Sequence, residues 1–69
     1  MSRFKVYEIT YSKYGNTIRG IFSRDYLKAK CINMLENNNY ADKSSVDLRS
    51  VDSMVRYLFR DVQLFRALN

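Results

Sequence analysis

The side chains that could perform chemistry in this chain are few and scattered. Cys31 is the only cysteine, and it would need exposure and a nearby positive charge to act as a nucleophile. Histidine, the usual acid–base catalyst near neutral pH, is absent, and the seven carboxylates do not pair at a diagnostic spacing. The two glycines, Gly15 and Gly20, cannot make a glycine-rich phosphate loop. We therefore expect a protein that is not an enzyme and that uses no metal and no cofactor.

The surroundings of Cys31 favour a structural role over a catalytic one. The segment SRDYLKAKCINMLENN predicts a helix over 23–38, with Ser23 as its N-cap. One stripe of this helix is apolar and consists of Leu27, Cys31, Met34 and Leu35. A free cysteine on such a stripe is usually buried. We therefore predict that Cys31 belongs to the core.

Two strands joined by a turn are predicted before this helix. FKVYEITY (4–11) and NTIRGIF (16–22) are rich in aromatic and β-branched residues, and the intervening SKYG (12–15) contains Gly15, which suits the positive φ of a tight turn. Pairing Ile9 with Ile18 gives an inner face of Tyr7, Ile9, Tyr11, Ile18 and Phe22. The outer face then holds Phe4, Val6, Glu8, Thr10, Thr17, Arg19 and Ile21. One or both helices are expected to cover the inner face.

The same register makes three finer predictions. Glu8 lies across from Arg19 and Thr10 from Thr17, and both pairs are favourable. Any even-numbered loop keeps these faces, whereas an odd one exchanges them. Gly20, inside the second strand, is expected to mark a bulge or a close contact from a packed helix.

The C-terminal third predicts a second helix. It begins near Ser45 or Ser50, either of which could cap it, and continues through VRYLFRDVQLFRAL to about Leu68. The polar segment 37–45 reads as a loop, with Asn38 or Asn39 in a left-handed cap position. The alternative for SVDLR (45–49) is a short third strand. The predicted fold is α+β: a single domain over 1–69 with a two-stranded hairpin followed by two helices (ββαα).

This arrangement leaves two apolar patches without a cover. The core arc of the last helix consists of Val51, Met54, Val55, Leu58, Phe59, Val62 and Phe65. Outside it, Arg56 and Arg60 share an outward face, and Tyr57, Leu64 and Leu68 form a second apolar strip. Phe4, Val6 and Ile21 on the outer strand face are the other patch. Such patches predict partner binding or a homodimer, unless one face is assigned wrongly and is part of the core.

The positive charge is concentrated in the first half of the chain. Residues 1–30 contain seven basic and two acidic side chains, so the entire net charge of +5 lies there. The basic residues are Arg3, Lys5, Lys13, Arg19, Arg24, Lys28 and Lys30. This excess favours a protein or nucleoprotein partner with an acidic surface. The alternative is direct DNA or RNA binding, in which Tyr14 and the adjacent Lys13 could reach a base or a phosphate, although no nucleic-acid-binding motif is present.

These features predict a small binding or regulatory protein that docks on another macromolecule. The chain is short, lacks proline and is rich in Asn, Lys and Tyr. In this style it resembles the small accessory proteins that tailed bacteriophages encode to bind host machinery, which implies an inhibitor of a host factor. A lone cysteine fits a reducing compartment, and neither a signal-like segment nor a membrane-length apolar run is visible. We therefore expect a cytoplasmic protein that does not bind membranes.

Overall fold

The computed structural model describes residues 5–37 and 46–68, which form an α+β fold. In chain order the elements are β1 (Val6–Lys13), β2 (Asn16–Ser23), α1 (Arg24–Asn37), α2 (Val51–Leu58) and β3 (Arg60–Leu68). The three strands form an antiparallel sheet in the order β2-β1-β3. The α+β class is confirmed, but the order differs from the prediction, because a strand follows the two helices.

The β1–β2 hairpin is tighter than predicted. Lys13 pairs with Asn16, so the loop contains only Tyr14 and Gly15, with φ of 52° and 80°. Positive φ at both central residues is what a two-residue type I′ turn requires. The predicted four-residue loop is therefore wrong. Because the two loops differ by an even number of residues, the predicted division into an inner and an outer face is confirmed.

The individual cross-strand pairs shift with the loop. Thr10 pairs with Arg19, and Thr17 pairs with Ser12, so the predicted Thr10–Thr17 pair is wrong. Glu8 pairs directly with Ile21. Cross-strand pairing moves by two residues along β2, which changes the neighbours of each side chain without changing the face it occupies.

Gly20 lies in regular strand pairing opposite Ile9. Neither a bulge nor a packed helix explains it, contrary to the prediction. The ring of Phe22, two residues along the same strand, folds over it, so that a Cβ at position 20 would lie 2.5 Å from Phe22 Cε2. The glycine is therefore needed for the placement of Phe22.

The predicted last helix is correct only in its first half. Helix α2 has Ser50 as N-cap, with the Ser53 N–H donating to Ser50 Oγ at 3.3 Å. It ends at Leu58, where Phe59 becomes extended, with φ −123° and ψ 153°. Asp61 has a φ of 50°, which no α-helix accommodates. The chain then continues as β3.

Pairing with β1 explains why this segment becomes a strand. A two-stranded hairpin is marginal alone, and β1 would otherwise keep a row of unpaired backbone groups on its second edge. Strand β3 pairs along that edge, with Phe65 opposite Ile9 and Leu64 opposite Thr10. The pairing is irregular between Thr10 and Ser12, opposite residues 61–63, and this stretch includes the left-handed Asp61. The third strand is thus 60–68 and not 45–49.

Residues 46–50 instead form a turn that leads into α2. The Ser50 N–H donates to the Asp47 carbonyl oxygen at 3.1 Å. The Asp47 carboxylate accepts from the Arg49 backbone N–H at 2.9 Å and from Arg49 Nε at 3.3 Å. These hydrogen bonds, the backbone one first, lower the pKa of Asp47 below its usual value.

The core lies between the sheet and the two helices. Its buried members are Ile9, Leu27, Cys31, Leu35, Val46, Met54 and Val55. The predicted stripe of α1 is confirmed for three residues, but Met34 is 42% exposed. The molecule measures 37 × 35 × 15 Å, and 15 Å is room for two layers, so neither described helix covers the second face of the sheet.

Several predicted positions lie outside the described residues. These are Arg3, Phe4, Asn38, Asn39, Ser45 and most of the 37–45 loop. Within residues 5–37 and 46–68, neither helix combines the length and the apolarity that a membrane crossing requires.

Candidate binding surfaces

Cys31 is part of the core, as predicted. It has no exposed surface, and its thiol donates a weak hydrogen bond to the Met54 carbonyl oxygen, with Sγ and O 3.8 Å apart. Burial raises the pKa of this thiol, so it stays protonated at neutral pH. Within residues 5–37 and 46–68, no three acidic or cysteine side chains come together as metal ligands would. Two surfaces of the described residues are candidate binding sites.

The face of the sheet turned away from the helices is the first such surface. Cross-strand pairing brings its residues together: Glu8 lies between Ile21 and Arg66, and Thr10 lies between Arg19 and Leu64. We call this surface the open sheet face, and it consists of Val6, Glu8, Thr10, Arg19, Ile21, Leu64, Arg66 and Leu68. It combines exposed apolar side chains with charged ones.

Glu8 is the buried centre of the open sheet face. It is only 6% exposed, and both of its carboxylate oxygens are held by arginines. Arg66 Nε lies 2.7 Å from Oε1, and Arg19 Nε lies 3.2 Å from Oε2. The predicted attraction between Glu8 and Arg19 is present, but along a diagonal. The arginine side chains remain 64% and 74% exposed, so their outer ends can meet a partner.

Apolar residues flank this charged centre. Ile21 is 58% exposed on β2 and Leu64 is 40% exposed on β3. The sequence assigned Leu64 and Leu68 to a helical strip, separate from the strand patch of Val6 and Ile21. The structure joins the two patches, because β3 pairs with β1 in the same sheet.

Three other predicted partner-binding residues are placed differently from the prediction. Tyr57 lies on α2, half-buried against the core, and does not join Leu64 and Leu68. Arg56, also on α2, forms an i,i+4 ion pair with Asp52, with Nε and Oδ2 3.1 Å apart. Arg60 begins β3, beyond the end of the helix. The outward face that Arg56 and Arg60 were expected to share does not exist, because the helix ends between them.

The predicted basic surface also divides into separate regions. Arg19 is on the open sheet face, whereas Lys13 and Lys30 line a cleft on the other side of the hairpin. Arg24 begins α1, where its Nη2 donates to the Arg49 carbonyl oxygen at 3.3 Å. Lys5 and Lys28 are exposed and line neither surface.

The cleft is the second candidate surface. It has a volume of about 500 Å³ and lies between the hairpin turn, α1 and the α2–β3 junction. We call it the hairpin cleft, and it is lined by Tyr11, Ser12, Lys13, Tyr14, Phe22, Tyr26, Lys30, Met34, Leu58, Phe59 and Arg60. Five of these side chains are aromatic and three are basic, a combination that suits an anionic ligand with a flat ring.

Sequence reasoning found part of the hairpin cleft and missed the rest. It singled out Tyr14, Lys13 and, within the basic surface, Lys30, but not Tyr26 and Met34, the other side chains that α1 contributes. Tyr26, Lys30 and Met34 are spaced i, i+4, i+8, one position before the buried stripe, so a helical wheel contains this signal. The contribution of Phe59 and Arg60 had no such signal, because it depends on the chain turning from helix to strand.

No family model, curated protein or solved structure matches this chain.

Proposed function

We propose that this protein is a non-enzymatic binding protein that docks its open sheet face on an acidic protein surface. One observation carries the proposal: Ile21 and Leu64 are exposed on either side of the Arg19–Glu8–Arg66 ion-pair group. Apolar side chains beside arginines are the combination enriched in protein interfaces.

The charges on this face favour an acidic protein over a second copy of the chain. Its described charged residues are two arginines and one carboxylate, which leaves an excess of positive charge. If two copies met face to face, their positive charges would repel each other. Carboxylates of an acidic partner could instead bind the outer nitrogens of Arg19 and Arg66.

The same face is less suited to a nucleic-acid backbone. Glu8 lies between the arginines and occupies their Nε atoms. Its negative charge repels phosphates, and Ile21 and Leu64 offer phosphates no hydrogen bond. Inhibition of a host factor, the role that the phage-type resemblance implies, would follow if this docking blocked a functional surface of the partner.

Affinity capture from nuclease-treated lysate of the native host tests the proposal when matched variants are compared. Ile21→Asp and Arg19→Glu alter the open sheet face. Their controls on the helices are Ile32→Asp and Arg56→Glu, since Ile32 is also exposed, at 37%, and Arg56 also forms a surface ion pair. We expect wild type and both controls to capture acidic proteins that the two face variants, Ile21→Asp and Arg19→Glu, do not capture.

Binding of a purified captured protein should weaken with salt and disappear with Ile21→Asp. Capture that is equal for all four variants, or that is lost after nuclease treatment of wild-type samples, would contradict the proposal. Self-association that Ile21→Asp abolishes would replace the acidic partner by a second copy.

A further inference from the structure

We infer that the hairpin cleft is a separate binding site for a nucleotide unit, in which aromatic rings contact the base and basic side chains contact the phosphate. The residues that carry the docking proposal, Arg19, Ile21, Leu64 and Arg66, do not line this cleft, although Ser12, on the same side of β1 as Thr10, does. The inference is therefore independent of the protein-docking function and can fail or succeed without it.

The charge in the cleft is positive and uncompensated among the described residues. Lys13, Lys30 and Arg60 line it, and none of the three forms an ion pair with another described residue. No described carboxylate lines the cleft. On the open sheet face, by contrast, both arginines are bound to Glu8. Basic groups that converge without a carboxylate suit a phosphate.

Four of the five aromatic side chains that line the cleft, Tyr11, Phe22, Tyr26 and Phe59, form a continuous group. The ring centroid of Phe59 lies 4.5 Å from that of Tyr11 and 5.3 Å from that of Phe22. Phe22 also stacks with Tyr26, at 5.7 Å and an interplanar angle of 23°. Nucleobases stack on such rings with little dependence on sequence. The volume of about 500 Å³ falls within the range of small-ligand sites.

Tyr14 provides an independent indication of function at the cleft rim. Its side chain is 92% exposed, and its φ is 52°. At this position of a type I′ turn asparagine or glycine is preferred, so a tyrosine costs backbone strain without contributing to the core. Lys13 Nζ lies 5.7 Å from the centre of the Tyr14 ring. An exposed ring beside a cation is suited to cover a bound base, and the backbone strain at Tyr14 indicates that this ring has a use other than packing.

The base and the phosphate could come from a free nucleotide or from a single-stranded nucleic acid. Fluorescence anisotropy with a short labelled oligothymidylate tests the strand, and titration with AMP monitored by NMR tests the free nucleotide. Inorganic phosphate is the third arm, because it has the anion without the base. We expect the protein to bind the oligothymidylate, AMP or both, more tightly than phosphate.

Two cation variants and a matched control locate the site. Lys30→Ala and Arg60→Ala should each weaken binding of the oligothymidylate or AMP several-fold. For the oligothymidylate, each should also reduce the log–log salt slope by about 0.7, the value for one phosphate contact on a single strand. Lys28→Ala removes the same charge from α1 outside the cleft and should leave binding of either ligand unchanged.

Tyr14→Asn separates binding from folding. Because asparagine suits the turn, this variant should be at least as stable as wild type in thermal unfolding, yet its affinity should fall roughly tenfold through the lost stacking.

Three results would overturn the inference. They are no binding of either oligothymidylate or AMP at low salt, equal weakening by Lys28→Ala, and phosphate binding as tight as that of AMP.

Discussion

At the scale of single residues, the β1–β2 hairpin depends on two positions with opposite demands. Gly20 has no room for a side chain, because the ring of Phe22 lies over it. Tyr14 has a side chain in a backbone conformation that suits glycine or asparagine. The first position supports packing. The second supports no described packing contact with the core, and for that reason we connect it with ligand binding.

Gly20→Ala should destabilise the protein by about 1–3 kcal/mol, the usual cost of overpacking. The added Cβ would displace the Phe22 ring, which contacts Tyr11 and Phe59 and cannot move without disturbing them. Chemical denaturation measures the loss. In a Phe22→Leu background the loss should be smaller, because the clashing ring is absent.

A matched control is Gly15→Ala. No atom lies within 4 Å of the position that its Cβ would take, so only the φ of 80° causes strain. Its cost should not change in the Phe22→Leu background. If Gly20→Ala costs the same in both backgrounds, the steric explanation is wrong.

At the scale of elements, residues 51–68 divide into a helix, α2, and a strand, β3. Ser50 caps a helix that ends after two turns, and Asp61 takes a left-handed conformation where β3 begins. The apolar residues of this segment follow helical spacing, but Leu64 and Leu68 are also separated by an even number of residues, as on one face of a strand. Local preference therefore leaves two solutions, and pairing with β1 selects the strand.

Substitution of Asp61 distinguishes the two solutions. In a helix, Asp61→Ala would be more stable than Asp61→Gly by about 1 kcal/mol, because alanine is the best helix former and glycine among the worst. At a φ of 50° the order reverses, since a Cβ is unfavourable there by about 1–2 kcal/mol.

We therefore expect Asp61→Gly to have the higher melting temperature of the two in thermal denaturation followed by circular dichroism. As a control, the same pair of substitutions at Arg56, inside α2, should favour alanine. A preference for alanine at both positions would contradict β3.

At the scale of the whole molecule, the two-layer arrangement gives the sheet one face that packs on the helices and one face that is exposed to solvent. Among the described residues, seven buried apolar side chains form a small core, and a domain of this size is expected to be only marginally stable. The open sheet face adds no buried apolar side chain to that core. Its apolar residues are therefore available for a partner without a cost in folding stability.

The two isoleucines on opposite faces of the sheet test this asymmetry. Ile9 is fully buried, so Ile9→Ala should cost about 2–5 kcal/mol. Ile21 is 58% exposed, and Ile21→Ala should change stability by about 0.5 kcal/mol or less. Urea denaturation of both variants provides the comparison. If Ile21→Ala destabilises the protein as much as Ile9→Ala, and if its loss increases with protein concentration, a second copy covers the open sheet face.

The sequence alone determined the features that depend on residues close together in the chain. The two faces of the hairpin follow from strict alternation, and any even loop preserves them, so a wrong loop length did no harm. Leu27, Cys31 and Leu35 are predicted correctly as core because helical spacing is local. The concentration of basic residues in the first half of the chain is also visible in the sequence.

Tertiary structure alone decided the remaining features, because they depend on residues far apart in the chain. Residues 60–68 form a strand because they pair with the free edge of β1. As a result, Leu64 and Leu68 lie on the same face of the sheet as Val6 and Ile21. The same change carried Phe59 and Arg60 to the hairpin cleft. Backbone hydrogen bonding between distant segments outweighed a local pattern that fitted a helix equally well.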